Sequence, residues 1–194
     1  GIEQRMSNWG DLVTLAALSK GLSFQNELNV EVSAIQSGRR LLEDPDPVQN
    51  LVKETTDNLR SAILHHYDGY KKTYEQALIH VEADANWIQH DPAKQQALLA
   101  KHGIKAPVQP ALNSTEEVID AMESCSLEQW NDRRDALQNK FENAREEAAQ
   151  LLMPKAVRAQ LPRATLQTAE DIDDWLSQAK AELESKLKQG PVIV

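Results

Sequence analysis

A chain of 194 residues with 41% apolar and 26% charged residues can bury a core, while 5% aromatics and only seven glycines argue against an all-β fold and for helices. A net charge of −9 makes it a poor binder of nucleic acid by itself, because that affinity rests on Lys and Arg neutralising phosphates. No apolar run approaches the roughly 20 residues of a membrane span, and the one cysteine, Cys125, rules out an intrachain disulfide and fits a reducing, cytoplasmic setting.

The chain opens at Gly1-Ile2, with neither Met nor a signal peptide, as expected of a piece of a longer protein. Residues 1–46 read as an N-terminal helical segment. Asp11–Ser19 and Glu27–Leu42 both predict helices; Gly38 and the β-branched residues predict that the second is short or kinked. The alternation Leu28, Val30, Val32 leaves a strand open there.

Residues 47–153 read as a long helical hairpin with short helices and a loop between its arms. Asp46-Pro47 is a capping acid before a proline at the first helical position. From Pro47 to about Gln89, residues Val52, Thr55, Leu59, Ile63, His66, Tyr70, Tyr74, Ala77, Val81, Ala85 and Ile88 keep one face at spacings of three or four. Asp91-Pro92 starts a short helix that Gly103 ends, and Ser114 with Glu117 starts another. Between these two, Pro107 and Pro110 keep residues 102–114 out of a helix. Ser126 with Gln129 begins the second long helix, Leu127 to about Leu152. Its stripe of Leu127, Trp130, Arg134, Leu137, Phe141, Ala144, Ala148 and Leu151 has heptad spacing. The two long helices are expected to pack as an antiparallel pair, with the short helices near the turn.

Residues 154–194 read as a small strand–helix–strand element. Thr168, Glu170 and Asp171 favour a helix N-terminus, and Lys186 and Lys188 its C-terminal end. Gly190-Pro191 stops that helix. The β-branched run Val192, Ile193, Val194 then needs a strand partner: either the run Val157, Ala159, Leu161 or a segment outside the chain. The expected fold class is thus mainly α: a long antiparallel, coiled-coil-like hairpin, shorter packing helices, and this C-terminal element.

No motif states a chemistry. There is no P-loop, no G-x-G-x-x-G and no G-x-S-x-G elbow. His65, His66, His80, His90 and His102 show no metal-ligand spacing, so hydrogen-bonded structural histidines are expected. Cys125 lies just before a helix start, which can lower a thiol pKa, but a catalytic thiol needs an oriented histidine and His102 is distant in sequence. Glu170, Asp171, Asp173 and Asp174 read as complements to the helix dipole, with contact to a basic partner as the other possibility. Trp9, Trp87, Trp130 and Trp175 read as core anchors, Trp9 being the first choice for an interface. No catalytic, cofactor-binding or metal-binding residue is assigned.

The stretch Leu161–Val194 resembles the C-terminal end of the large P-loop, AAA-like ATPases of BREX (bacteriophage exclusion) defence systems. The resembling residues are Leu161-Pro162, Thr165-Leu166, Asp171-Ile172-Asp173, Trp175-Leu176 and Gly190-Pro191-Val192. Upstream, Pro45-Asp46-Pro47-Val48 and Leu127 with Trp130 are similar in layout. The resemblance implies a non-catalytic interaction and assembly domain, with ATP and Mg2+ belonging to a nucleotide-binding part elsewhere in such a protein. The implied partners are other defence proteins or a second copy, with no membrane and no nucleic acid bound by this part alone. The alternative is a nucleic-acid-contacting module using Arg133, Arg134, Lys140, Arg145, Lys155, Arg158 and Arg163 as one basic face.

Overall fold

One helix sets the layout. The Asp46 carboxylate accepts from the Val48 amide at 2.9 Å, and Pro47, which has no amide to satisfy, opens helix α3, Pro47–Glu82. Its 36 residues span about 54 Å at 1.5 Å per residue. In the computed structural model, which describes residues 1–154 and 157–194, the α3 stripe buries Val48, Val52, Thr55, Leu59, Ile63, Tyr67 and Val81. The stripe does not continue to Gln89 as expected. The Asp84 carboxylate accepts from the amides of Asn86 and Trp87 at 2.9 and 3.1 Å, which ends the helix in a turn. A 3-10 turn, Trp87–Gln89, then folds Trp87 inward, while Ile88 is left exposed.

Helix α6, Leu127–Leu152, starts at a reciprocal capping box between Ser126 and Gln129, as its sequence requires. It packs along α3. The expected antiparallel arrangement is corrected here, because the two helices run parallel. His66 meets Asn131, Tyr67 meets Trp130, Tyr74 meets Phe141 and His80 meets Arg145, so contacts advance in the same direction on both helices. The connection makes this possible. Helix α4, Pro92–Lys101, docks beside the C-terminal end of α6, where Lys101 pairs with Glu147 at 2.6 Å. Residues 103–113 then run back without helix, about 36 Å if extended. Lys140 donates to the Gly103 carbonyl at 3.3 Å near the start of this crossover, and Arg60 to the Leu112 carbonyl at 2.7 Å near its end. Helix α5, Thr115–Ser124, follows beside the N-terminal half of α3, with Thr56 and Thr115 hydroxyls 3.2 Å apart. The two short helices therefore sit at opposite ends of the long pair, not together at a turn.

The N-terminal segment folds as helix α1, Ile2–Leu18, helix α2, Gln25–Gly38, and a 3-10 turn, Arg40–Leu42. Leu28 and Ile35, seven residues apart, are the buried positions of α2, which is helical spacing and excludes the strand. Arg39, with φ +52°, terminates α2 where Gly38 predicted a break. Arg5 ties the start of α1 to Asp44 and donates to the Glu43 carbonyl at 2.8 Å.

Two apolar cores result. Leu12, Leu15, Ile35, Leu59, Ile63 and Val118 join α1, α2, α3 and α5. Val81, Trp87, Leu98, Leu137 and Phe141 join the far end of α3 to α4 and α6. Tyr67, Cys125 and Trp130 pack between them. Burial of each large side chain contributes about 1.5–3 kcal/mol, and α3 is common to both cores.

The C-terminal element forms as its sequence suggests. Strand β1, Val157–Arg158, pairs in parallel with strand β2, Val192–Ile193, in the register Val157 to Val192. The partner of the β-branched run is therefore the earlier Val157 segment. Helix α7, Ala169–Leu187, makes the crossover. Thr168 and Asp171 cap it reciprocally, and the Trp175 indole N–H donates to the Pro162 carbonyl at 2.6 Å.

Candidate functional site

The residues able to carry chemistry do not converge. The His66 ring N–H donates to Asn131 Oδ1 at 3.0 Å, and His80 Nε2 accepts from Arg145 Nη1 at 3.4 Å. His90 donates to the Ala148 carbonyl at 2.9 Å and His102 to Glu147 Oε2 at 2.8 Å. Each of these histidines braces a different point where α6 meets α3, α4 or the turn between them. Among the described residues no three His, Cys, Asp or Glu side chains gather as a metal site.

Cys125 is buried against Tyr67 and Trp130. Burial pushes its thiol pKa up, and the nearby Arg133 cation only partly opposes that. A reactive thiolate needs the opposite shift. Trp87 and Trp130 are core residues, whereas Trp9 lies half-buried at the margin of the first core. Tyr70 and Tyr74, next to Trp130 and Phe141, have raised pKa values through desolvation.

The acids at the start of α7 divide by role. Asp171 accepts from the amides of Gln167 and Thr168 at 2.9 and 2.8 Å, and these bonds hold its carboxyl below the usual carboxylate range. Glu170, Asp173 and Asp174 are exposed.

The seven cations of the possible basic face do not share one. Arg133 lies 5.7 Å from the Trp130 ring centre on one flank of the α6 stripe, the flank that also carries Lys140. Arg134 and Arg145 lie on the other flank, against Gly69 and His80 of α3. Arg158 sits on β1 and Arg163 in the following loop. Lys155 lies outside the described residues. On α6 these cations border the helix–helix seam.

What remains is surface. The C-terminal element buries little: Ala159 and Ala179 are its well-covered apolar residues. Ile172 is 45% exposed; Leu176, Leu187 and Ile193 are 52%, 60% and 50% exposed. The α7 sequence thus carries one broad apolar arc. Trp175 and Ala179 on one side of it turn inward, Leu183 is half-buried in its middle, and Ile172, Leu176 and Leu187 form an exposed margin on the other side. The three- and four-residue spacing of apolar residues in α7 was the available signal for that margin. A second feature has no local signal: a groove of about 550 Å3 between α2 and α3, with Phe24, Leu28 and Leu51 as floor and Glu27, Glu31 and Glu54 as walls.

No protein-family model matches this chain, and no curated protein or solved structure does. No helix is long and apolar enough to cross a membrane among the described residues.

Proposed function

We propose that this chain is a non-catalytic helical interaction and assembly module of a BREX-type phage-defence ATPase, acting in the cytoplasm. One observation carries the reading. The residues that resemble the family's C-terminal end fall on an element with little core of its own, which leaves Ile172, Leu176, Leu187 and Ile193 about half exposed. Trp175 and Leu176 lie on α7, and Gly190, Pro191 and Val192 lead into β2. Exposed apolar surface in a small, otherwise charged element is what a contact surface requires. The partners are other proteins of the defence system, and ATP and Mg2+ belong to the nucleotide-binding part of such an ATPase. Contact with nucleic acid has less support, because the candidate cations border both sides of the α3–α6 seam and the net charge is −9.

The test is co-purification of the chain with the remaining products of a BREX-type island, with and without residues 190–194. The intact chain should capture at least one product, and the shortened chain should lose it while the melting temperature of the helical body stays the same. Capture of no product by the intact chain, or equal capture by both, overturns the reading. Gel-shift binding to duplex DNA that falls steeply with salt would favour the alternative.

A further inference from the structure

We infer that the C-terminal element is half of a two-fold sheet, completed by a second copy of this chain. The inference deepens the assembly reading above and rests on it in taking this element as the contact surface. In the dimer, β2 pairs antiparallel with the partner's β2, and the two α7 helices lie side by side on one face of a four-stranded sheet.

The open edge is the first observation. Val157 and Ala159 donate to the Pro191 and Ile193 carbonyls at 2.8 and 3.0 Å. Alternation along the strand therefore turns the amides and carbonyls of Val192 and Val194 away from β1, and they have no hydrogen-bond partner among the described residues. A two-stranded sheet with one helix is marginal alone, and an uncovered strand edge is a template for another strand.

The stripe on α7 is the second. Parallel strand–helix–strand crossovers are right-handed in about 98% of cases. With that hand, and with Trp175 and Ala179 facing the sheet, Ile172, Leu176 and Leu187 fall on the flank above β2. The flank above β1 carries Asp174, Gln178 and Ser185 instead. The apolar flank and the apolar strand edge thus coincide on one side of the element.

Spacing is the third. Strands lie about 4.8 Å apart, so a helix centred over its own pair stands about 4.8 Å from a two-fold axis at the outer edge of β2. Two such helices are then about 9.6 Å apart, within the 8–10 Å of packed helices. A two-fold axis at the β1 edge would instead bring Arg158 toward its own copy.

Charge makes the occupant a second copy. On the flank that carries Ile172, Leu176 and Leu187, the first half of α7 presents Asp173 and the second half Lys180, with Glu184 beside it. An antiparallel two-fold sets each acidic half beside the partner's basic-leaning half and opposes the helix dipoles favourably. A parallel pair would set Asp173 against its own copy.

Sedimentation velocity on the full chain from micromolar to several hundred micromolar tests this. The wild type should dimerise with rising concentration. Asp173→Lys, and separately Lys180→Glu, should each weaken dimerisation about tenfold, and an equimolar mixture of the two variants should recover it as a heterodimer. Leu176→Glu with Leu187→Glu should abolish it with helical circular dichroism unchanged. A chain monomeric throughout, a dimer that survives the leucine variants, or a mixture that fails to recover association overturns the inference. A monomer that still captures defence proteins removes the dimer alone; a dimer that captures none removes the partner reading alone.

Discussion

His102 and Glu147 lie 45 residues apart in sequence, yet the imidazole Nε2 donates to the carboxylate at 2.8 Å where α4 folds back onto α6. Lys101 reaches the other oxygen of the same carboxylate at 2.6 Å. One acid on α6 therefore receives two donors from the C-terminal end of α4, which also suits the negative end of that helix's dipole. It is the polar clasp that holds the returning chain against the far end of the long pair.

That clasp predicts an acid-sensitive step. The bond from Lys101, then that from His102, holds the Glu147 carboxyl below its ordinary value of 4.5, against the opposing effect of desolvation. A lowered folded-state pKa contributes stability that is complete above the ordinary value and fades as pH falls through the folded value. Hydrogen exchange at α4 amides should accelerate below about pH 4.5 in the wild type. In Glu147→Gln it should be faster at pH 7 and lose that dependence. An unchanged pH profile in the variant would show that α4 is held otherwise.

The α7 cap gives a second prediction. Thr168→Ala removes the acceptor for the Asp171 amide, which sits 3.2 Å from the hydroxyl, and should cost about 1 kcal/mol of helix stability. Because α7 belongs to neither large core, the effect should be local. Hydrogen exchange should quicken in residues 169–175, while the melting temperature of the body holds. Asp171→Asn should abolish the acid sensitivity of those amides, since a carboxyl pKa lowered from its ordinary 3.8 gives a cap that is complete above that value and fades as pH falls through the lower folded-state value.

Phe141→Ala should destabilise the body by about 3–5 kcal/mol. The ring is 2% exposed and meets Tyr74 edge-on with centres 5.6 Å apart. Since α3 passes through both cores, urea unfolding should stay a single transition with a lower midpoint, followed by Trp fluorescence. Two separated transitions would show that the cores fold independently.

Cys125 should react slowly with a disulfide reagent in the native protein and rapidly in denaturant. Its side chain is buried and its pKa is raised by desolvation. Cys125→Ala should leave any partner capture unchanged, whereas fast native labelling would contradict the packing against Tyr67 and Trp130.

Local rules located most of the helices because helix ends are local events. Asp46-Pro47, Asp91-Pro92, Ser114, Ser126-Gln129 and Thr168 each act within four residues, and each caps a helix in the folded chain. The overlong reading of α3 shows the limit of such rules. Ala85 and Ile88 kept the apolar period, but the Asp84 turn and burial of Trp87 prevailed. The basic residues of α6 misled for a related reason. Their common sign suggested one surface, whereas the helical wheel places them on both margins of the seam with α3.

Residue order thus settled composition class, the starts of the helices from α3 onward and the absence of a recognised catalytic motif, while the partner of the β-branched ending and the start of α1 came from the folded chain. Helix direction was beyond it, because an apolar stripe spaced by threes and fours packs equally well against a parallel or an antiparallel neighbour. Only the tertiary structure decided that α3 and α6 run the same way. It did so through contacts between residues far apart in sequence: Glu147 clasping α4 at one end and Arg60 holding the Leu112 carbonyl at the other.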